Sequence, residues 1–306
     1  KSIFSRISIR IKRSLNYRLI KPLIDFSLNK RCPIFLYKLL FFVGSNKNDN
    51  YTFEINHYPD KKSFAITQIT SSNKLKWFFP EIWLRSRGRN LYNNSLDLRG
   101  KILAETYSIS LIKFNKDDII IDCGANNADL WLYLNQLKIV LKYFAIEPGI
   151  EEYESICRNI SCNKKTLITS KVLKIALSDE NKISTLFYSP DDADSSLVEP
   201  PSYQKKLEVQ LLTLENLFLK QKLQNKKIKL LKLEAEGFEP EILKGSINVI
   251  NNIEYIAADV GPERGIRCEF TLVEVTNILL SNGFLIKNFY NNGRTSILFR
   301  NKRFIS

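Results

Sequence analysis

Asp117-Asp118-Ile119-Ile120-Ile121-Asp122-Cys123-Gly124-Ala125-Asn126-Asn127-Ala128-Asp129 is the stretch that decides how this chain folds. Three consecutive isoleucines suit a strand buried on both faces of a parallel sheet, where no polar face interrupts the run. Asp122 ends the run, and Gly124 permits a tight turn with backbone close to a ligand. Leu130, Leu134, Leu137 and Leu141 then recur at helical spacing. Strand, small-residue turn and helix, in that order, mark the place where open α/β sheets hold nucleotide-like cofactors.

Further strand–turn–helix units follow. Residues 143–146 read as a second buried strand ending at Glu147-Pro148. A carboxylate about 20 residues past a glycine turn, at the next strand end, is placed to accept hydrogen bonds from ribose hydroxyls. The next helix carries Ile150, Tyr153, Cys157 and Ile160 on one face, and residues 172–177 form a third strand closing with Ser178-Asp179. Strands at 185–188 and 207–211 flank a loop holding Asp191, Asp192, Asp194, Ser195, Ser196, Pro200 and Pro201. A loop so long and polar is either a lid over a site or disordered. A helix over 214–222 precedes a fourth strand, 228–233, ending in Glu234-Ala235-Glu236-Gly237. Pro240 and Gly245 bracket another helix. A fifth strand, 253–258, delivers Asp259, and a helix through Leu272, Val275 and Leu279 leads to strands near 284–287 and 296–300.

Asp122, Glu147, Glu234, Glu236 and Asp259 thus gather at four successive C-terminal strand ends, where ligands bind in open α/β sheets. With them in view, the segments Ile-Asp-Cys-Gly-Ala-Asn (121–126), Phe-Ala-Ile-Glu-Pro (144–148) and Leu-Leu-Lys-Leu-Glu-Ala-Glu-Gly-Phe-Glu-Pro-Glu-Ile-Leu-Lys-Gly (230–245) resemble the FkbM family of S-adenosylmethionine-dependent methyltransferases. The resemblance spans about residues 105–300. It implies an α/β Rossmann-like class I methyltransferase fold, with a mostly parallel seven-stranded sheet, helices on both faces and an added N-terminal region. It also implies O-methylation of a sugar, glycan or related metabolite. By position, Asp122, Gly124, Ala125 and Asn126 would face the methionine part of S-adenosylmethionine and Glu147 its ribose. Ala176, Leu177 and Ser178 would lie near the adenine, and Glu234 between cofactor and acceptor. Where the family usually has an aliphatic residue and a second glycine, this chain has Asn127-Ala128, and alanine resists φ > 0.

A hydroxyl acceptor needs its proton removed. His57, the single histidine, lies outside the core motifs, so a carboxylate is expected to serve, Asp259 or Glu236. Glu236 has a second reading as a helix cap, and Glu263 with Arg264 either holds acceptor hydroxyls or forms a salt-bridged loop. Five scattered cysteines without a Cys-x-x-Cys, beside one histidine, argue against a zinc site, and no metal site is expected. Reduced thiols suit a cytoplasmic location. A nicotinamide oxidoreductase is disfavoured because the full Gly-x-Gly-x-x-Gly pattern is missing.

The chain has 306 residues and a net charge of +14, of which residues 1–50 carry eleven cations against Asp25 and Asp49. That basic arm mixes cations with apolar residues 34–43, a run broken by Lys38 and shorter than the roughly 20 residues of a membrane span. No small-residue cleavage site follows, so a signal peptide is not expected. Helices packed on the domain or on a second subunit, and an amphipathic segment on an anionic membrane, both remain open. Nucleic-acid binding ranks last, since no recognition motif accompanies the charge. The expected organisation is an arm at 1–50, an accessory or cap region at 51–104 and a methyltransferase domain at 105–306. The cap holds a short hairpin (Phe53, Phe64, Ile66, Ile69), the aromatic-arginine stretch 77–88 and the start of a helix at 101–112. A non-catalytic, membrane-surface binding module with the same fold is the alternative function.

Overall fold

The computed structural model describes residues 52–70, 74–80, 91–92, 95–164, 166–189 and 194–305. The basic arm, and Arg85 and Arg87 of the aromatic-arginine stretch, lie outside the described residues. An antiparallel sheet comes first, β1 (Thr52–Tyr58), β2 (Ser63–Ile69) and β3 (Lys74–Pro80). His57 belongs to β1 and stacks on Phe64 with ring centroids 4.4 Å apart. Trp77 and Phe79 are fully buried packing residues. Helix α1 (Leu96–Thr106) starts at Ser95, whose hydroxyl accepts from the Leu98 N–H. The helix expected at 101–112 therefore begins five residues earlier, inside the segment assigned to the cap, and ends at Thr106.

The remaining elements alternate as the isoleucine run implied. They are β4 (Asp118–Cys123), α2 (Asp129–Gln136), β5 (Leu141–Ile146), α3 (Ile150–Cys162), β6 (Ile168–Leu173), β7 (Ala176–Leu177), β8 (Ile183–Tyr188) and β9 (Lys205–Leu212). Then come α4 (Leu214–Gln221), β10 (Ile228–Leu233), α5 (Glu239–Lys244), β11 (Ile253–Asp259), β12 (Pro262–Arg264), β13 (Glu269–Phe270), α6 (Leu272–Ser281), β14 (Phe284–Asn291) and β15 (Thr295–Asn301). A seven-stranded sheet has the order β14-β15-β11-β10-β4-β5-β6. The pairings from β11 through β10, β4 and β5 to β6 are parallel, and β15 runs antiparallel to both its neighbours. Ile120 faces one core layer, shared with α1, α2, α3 and residues of the N-terminal sheet. Ile119 and Ile121 face the other, with α4, α5 and α6. Alternation in a strand covered on both sides produces these two cores from one run.

Three details depart from the sequence reading. Leu141 opens β5 instead of closing α2, because α2 ends at Gln136. Residues 172–177 do not form one strand; Leu173 ends β6 and Ala176 starts β7, which pairs with β9 in a separate sheet. On α3 the buried positions are Glu152, Ser155, Ile156 and Asn159, while Ile150 is exposed. Helix α3 packs a polar face on the edge strand β3. The Phe78 N–H donates to Asn159 Oδ1 at 2.5 Å, Asn159 Nδ2 returns to the Phe78 carbonyl at 3.1 Å, and Asn163 repeats this with Lys76. Two asparagines one helical turn apart satisfy backbone groups that a free strand edge would leave open.

Candidate active site

The turn after β4 is the centre of the site. Gly124 has φ +68, and a Cβ there would lie 1.8 Å from the Glu234 carbonyl oxygen, so only glycine lets β4 and β10 end this close together. Asn126 and Ala128 are also left-handed, at φ 52 and 61. Ala128 thus occupies the conformation that a second glycine would take more easily. Its neighbour Asn127 is committed to the N-terminal sheet, with Nδ2 donating to the Phe78 carbonyl at 2.7 Å and to Tyr92 Oη at 3.0 Å. Asp129, next along, accepts from Tyr92 Oη at 2.8 Å and from Arg99 Nε at 2.6 Å.

Two clefts meet at Gly124, Asn126 and Glu234. The first, about 660 Å³ of empty space counting its open mouth, is lined by Glu147, Ala176, Leu177, Glu236, Phe238 and Ile242, among others. The Glu147 carboxylate accepts from the Asn126 N–H at 2.7 Å and from the Gly149 N–H at 2.8 Å, one to each oxygen. Burial and the nearby Glu152 carboxylate nevertheless push it up to about 8. Ser178 is the one expected cofactor residue that turns away: it is buried, and its hydroxyl donates to Asp179 at 3.0 Å. Ser195 and Leu197, on the described side of the polar loop, line this cleft.

The second cleft, about 1160 Å³, is lined by Asp122, Gly124, Ala125, Asp129, Glu234, Arg99, Tyr107, Lys232 and Arg294. Asp122 accepts from Tyr143 Oη at 2.5 Å and from the Lys232 ammonium at 3.0 Å, yet burial still raises it. Lys232 also reaches Glu234 at 2.8 Å. Burial acts to raise Glu234, but Arg294 and Lys232 outweigh it and hold the carboxylate far below its usual range. Arg294 pairs with Glu234 and, at 2.8 Å, with Asp259, and it donates to Tyr107 Oη at 2.5 Å.

Asp259 is fully buried and accepts from the Gly261 N–H at 2.9 Å as well as from Arg294. It is held at the end of β11 behind Arg294 and lines neither cleft. Glu236 lines the first cleft at φ 49, a strained conformation for a residue other than glycine. Burial, then Glu263 and Glu234, raise its carboxyl well above the usual range. It does not cap α5, whose start at Phe238 has no side-chain cap; Glu239 instead closes the preceding turn, accepting from the Ala235 N–H at 2.7 Å, and itself rises to about 7. Arg264, the last residue of β12, is salt-bridged to α5, pairing with both oxygens of Glu241 at 2.9 and 2.6 Å. Glu263, beside Asp259, is pushed by burial to about 8.

Arg294 escaped the sequence reading. Its signal was Asn291-Asn292-Gly293-Arg294, a turn between the last two strands. Because β15 runs against the parallel strands, the tip of that hairpin meets their C-terminal ends.

These residues fit an adenosyl amino acid. Glu147 offers a carboxylate fixed by two backbone donors, the Gly124 turn admits backbone close to a ligand, and the second cleft carries charges of both signs for an ammonium and a carboxylate. Among the described residues, no group of three His, Cys, Asp or Glu is placed to hold a metal ion.

The chain is similar in structure to precorrin-6y C5,15-methyltransferase from Geobacter metallireducens, at 12% identity and TM-score 0.39, covering 66% of this chain and 89% of that one. It is similar to M. capricolum TrmK in complex with S-adenosyl-homocysteine, at 16% identity and TM-score 0.37, covering 66% and 68%. It is also similar to the ribosomal protein L11 methylase of Lactobacillus delbrueckii, at 13% identity and TM-score 0.36, covering 70% and 79%. No curated protein matches it. The model of the methyltransferase FkbM domain matches residues 122–287, more than half of the chain. The chain therefore belongs to the FkbM methyltransferases and is an S-adenosylmethionine-dependent methyltransferase.

Proposed function

We propose that the chain transfers a methyl group to a hydroxyl of a sugar, a glycan or a related metabolite. The observation that carries this reading is the Glu236 carboxyl, which lines the cleft next to Glu234 and is raised by burial and by its acidic neighbours. When bound, S-adenosylmethionine supplies a methyl group already activated on a sulfonium. The residues must therefore align the acceptor oxygen and take up its proton. Once ionised, a carboxylate whose affinity for a proton is raised is a stronger base than an ordinary one, and Glu236 is the one we assign to that task. Asp259 is a positioning residue, since Arg294 and the Gly261 N–H already occupy its carboxylate. Ser195 and Glu236, which both line the cleft, suit an acceptor with several hydroxyls.

The test is a panel of free sugars, nucleotide sugars, phenols and amines incubated with methyl-labelled cofactor and read by mass spectrometry. Methylated sugar hydroxyls are expected. Glu236→Gln is expected to lower kcat by about 10²–10⁴-fold while leaving S-adenosylhomocysteine affinity within a few-fold. Methylation of amines alone, or a Glu236→Gln variant with unchanged kcat, would overturn the assignment.

A further inference from the structure

The end of the sheet away from the active site carries a second, separate feature. The carboxylates of the site stand at the C-terminal ends of β4, β5, β10 and β11. One side of the opposite end is built from the turn 222–227 before β10, the start of β11, and the residues after β15, which reaches that end because it runs antiparallel; the start of β4, with Lys116, Asp117 and Asp118, lies beside it. These pieces touch: Asn252 Nδ2 donates to the Gln224 carbonyl at 2.8 Å, and Lys227 Nζ lies 4.7 Å from the centroid of the Phe304 ring. Residues 219–229, 248–254 and 300–305 hold Lys220, Lys222, Lys226, Lys227, Lys229, Arg300, Lys302 and Arg303 against a single carboxylate, Glu254. Lys227, Lys229 and Arg300 all converge on that one group, at 2.6, 3.0 and 3.8 Å. Lys222, Lys226, Lys302 and Arg303 are exposed. These three segments carry more positive charge than residues 51–306 have in sum, so the rest of the described body is slightly acidic.

Charge so confined is a directional field. Leu219 and Ile305, half-exposed apolar side chains, stand among the cations. Cations with interleaved apolar side chains suit the interface of an anionic bilayer, where the apolar groups enter the headgroup region. The basic arm shares the sign of the patch, which makes it a poor occupant. We infer that this basic end of the sheet docks on an anionic lipid surface, with the two clefts turned away from the bilayer.

The test uses the full chain and vesicles of phosphatidylcholine with and without phosphatidylserine, read by co-sedimentation at low salt. Wild type is expected to bind only the phosphatidylserine vesicles. Replacing Lys226, Lys302 and Arg303 by glutamine is expected to weaken partitioning by about a hundredfold, at about fivefold per cation near a charged leaflet. The same loss of charge at Lys62, Lys101 and Lys206 is expected to change it far less. Thermal shift with S-adenosylhomocysteine checks that both variants are folded. Absence of wild-type binding would overturn the inference. So would equal losses in the two triple variants, or a patch variant that loses binding to homopolymeric RNA while keeping its vesicle binding.

Discussion

Glu147→Gln should flatten the pH dependence of both folding and cofactor binding. The wild-type carboxyl is 7% exposed and rises on folding from 4.5 to about 8, because burial and Glu152 outweigh two backbone N–H donors. Between those values the folded protein holds a proton that the unfolded chain has lost. Folding stability therefore falls as pH rises through the window, by up to about 1.4 kcal/mol per pH unit. Across pH 5 to 8 the full effect is on the order of 4 kcal/mol. Glutamine has nearly the same shape and cannot ionise, so its slope from this site vanishes. Glu239 and Glu263 also rise on folding, to about 7 and about 8, but they titrate in both proteins and cancel in the difference. Urea unfolding at pH 5, 6, 7 and 8 should show the variant gaining on wild type at each step. Binding adds a second reading. Ribose hydroxyls donate to an ionised carboxylate, so S-adenosylhomocysteine should expel the proton from Glu147. Its affinity for wild type should then rise by up to about tenfold per pH unit toward pH 8, with proton release visible by calorimetry in two buffers. The variant should bind more weakly and independently of pH. A stability difference constant from pH 5 to 8, or wild-type affinity flat over that range, would refute this account.

Gly124→Ala forces a methyl group into the Glu234 carbonyl and a left-handed backbone. It should cost at least ~2 kcal/mol and abolish the thermal shift produced by S-adenosylhomocysteine. Ala128→Gly relieves ~1–2 kcal/mol of left-handed strain but loses a buried methyl worth about 0.8 kcal/mol and raises chain entropy. Its net change should stay within about 1 kcal/mol by urea unfolding, whereas Ala128→Val should destabilise clearly. Asn159→Ala strips the Phe78 N–H of its acceptor and should cost ~1–3 kcal/mol, with faster hydrogen exchange along β3 as the local signature.

The parallel strands were legible because burial on both faces writes itself as unbroken apolar runs, as at Ile119–Ile121, and their carboxylate ends follow by position. Helix α3 was phased wrongly because its buried face is Glu152, Ser155 and Asn159, and a hydrophobic period does not register polar groups that are satisfied by another chain segment. Arg294 was invisible for a related reason. Its meaning depends on the hairpin reversing direction and meeting Glu234 and Asp259, which are 60 and 35 positions away in the sequence. Local patterns report burial well, but long-range pairing of charges only after the topology is known.

Asn127 and Asp129 lie within the segment that defines the family, and the groups that hold them lie before it. Phe78, Tyr92 and Arg99 all precede residue 122. The family segment grafted alone onto another protein would therefore carry the cofactor turn without its clamp. Conversely, a change at Phe78, Tyr92 or Arg99 reaches the turn after β4 through the side chains of Asn127 and Asp129. Substitutions in that leading region are therefore expected to loosen the turn after β4 while leaving the strand-end carboxylates in place.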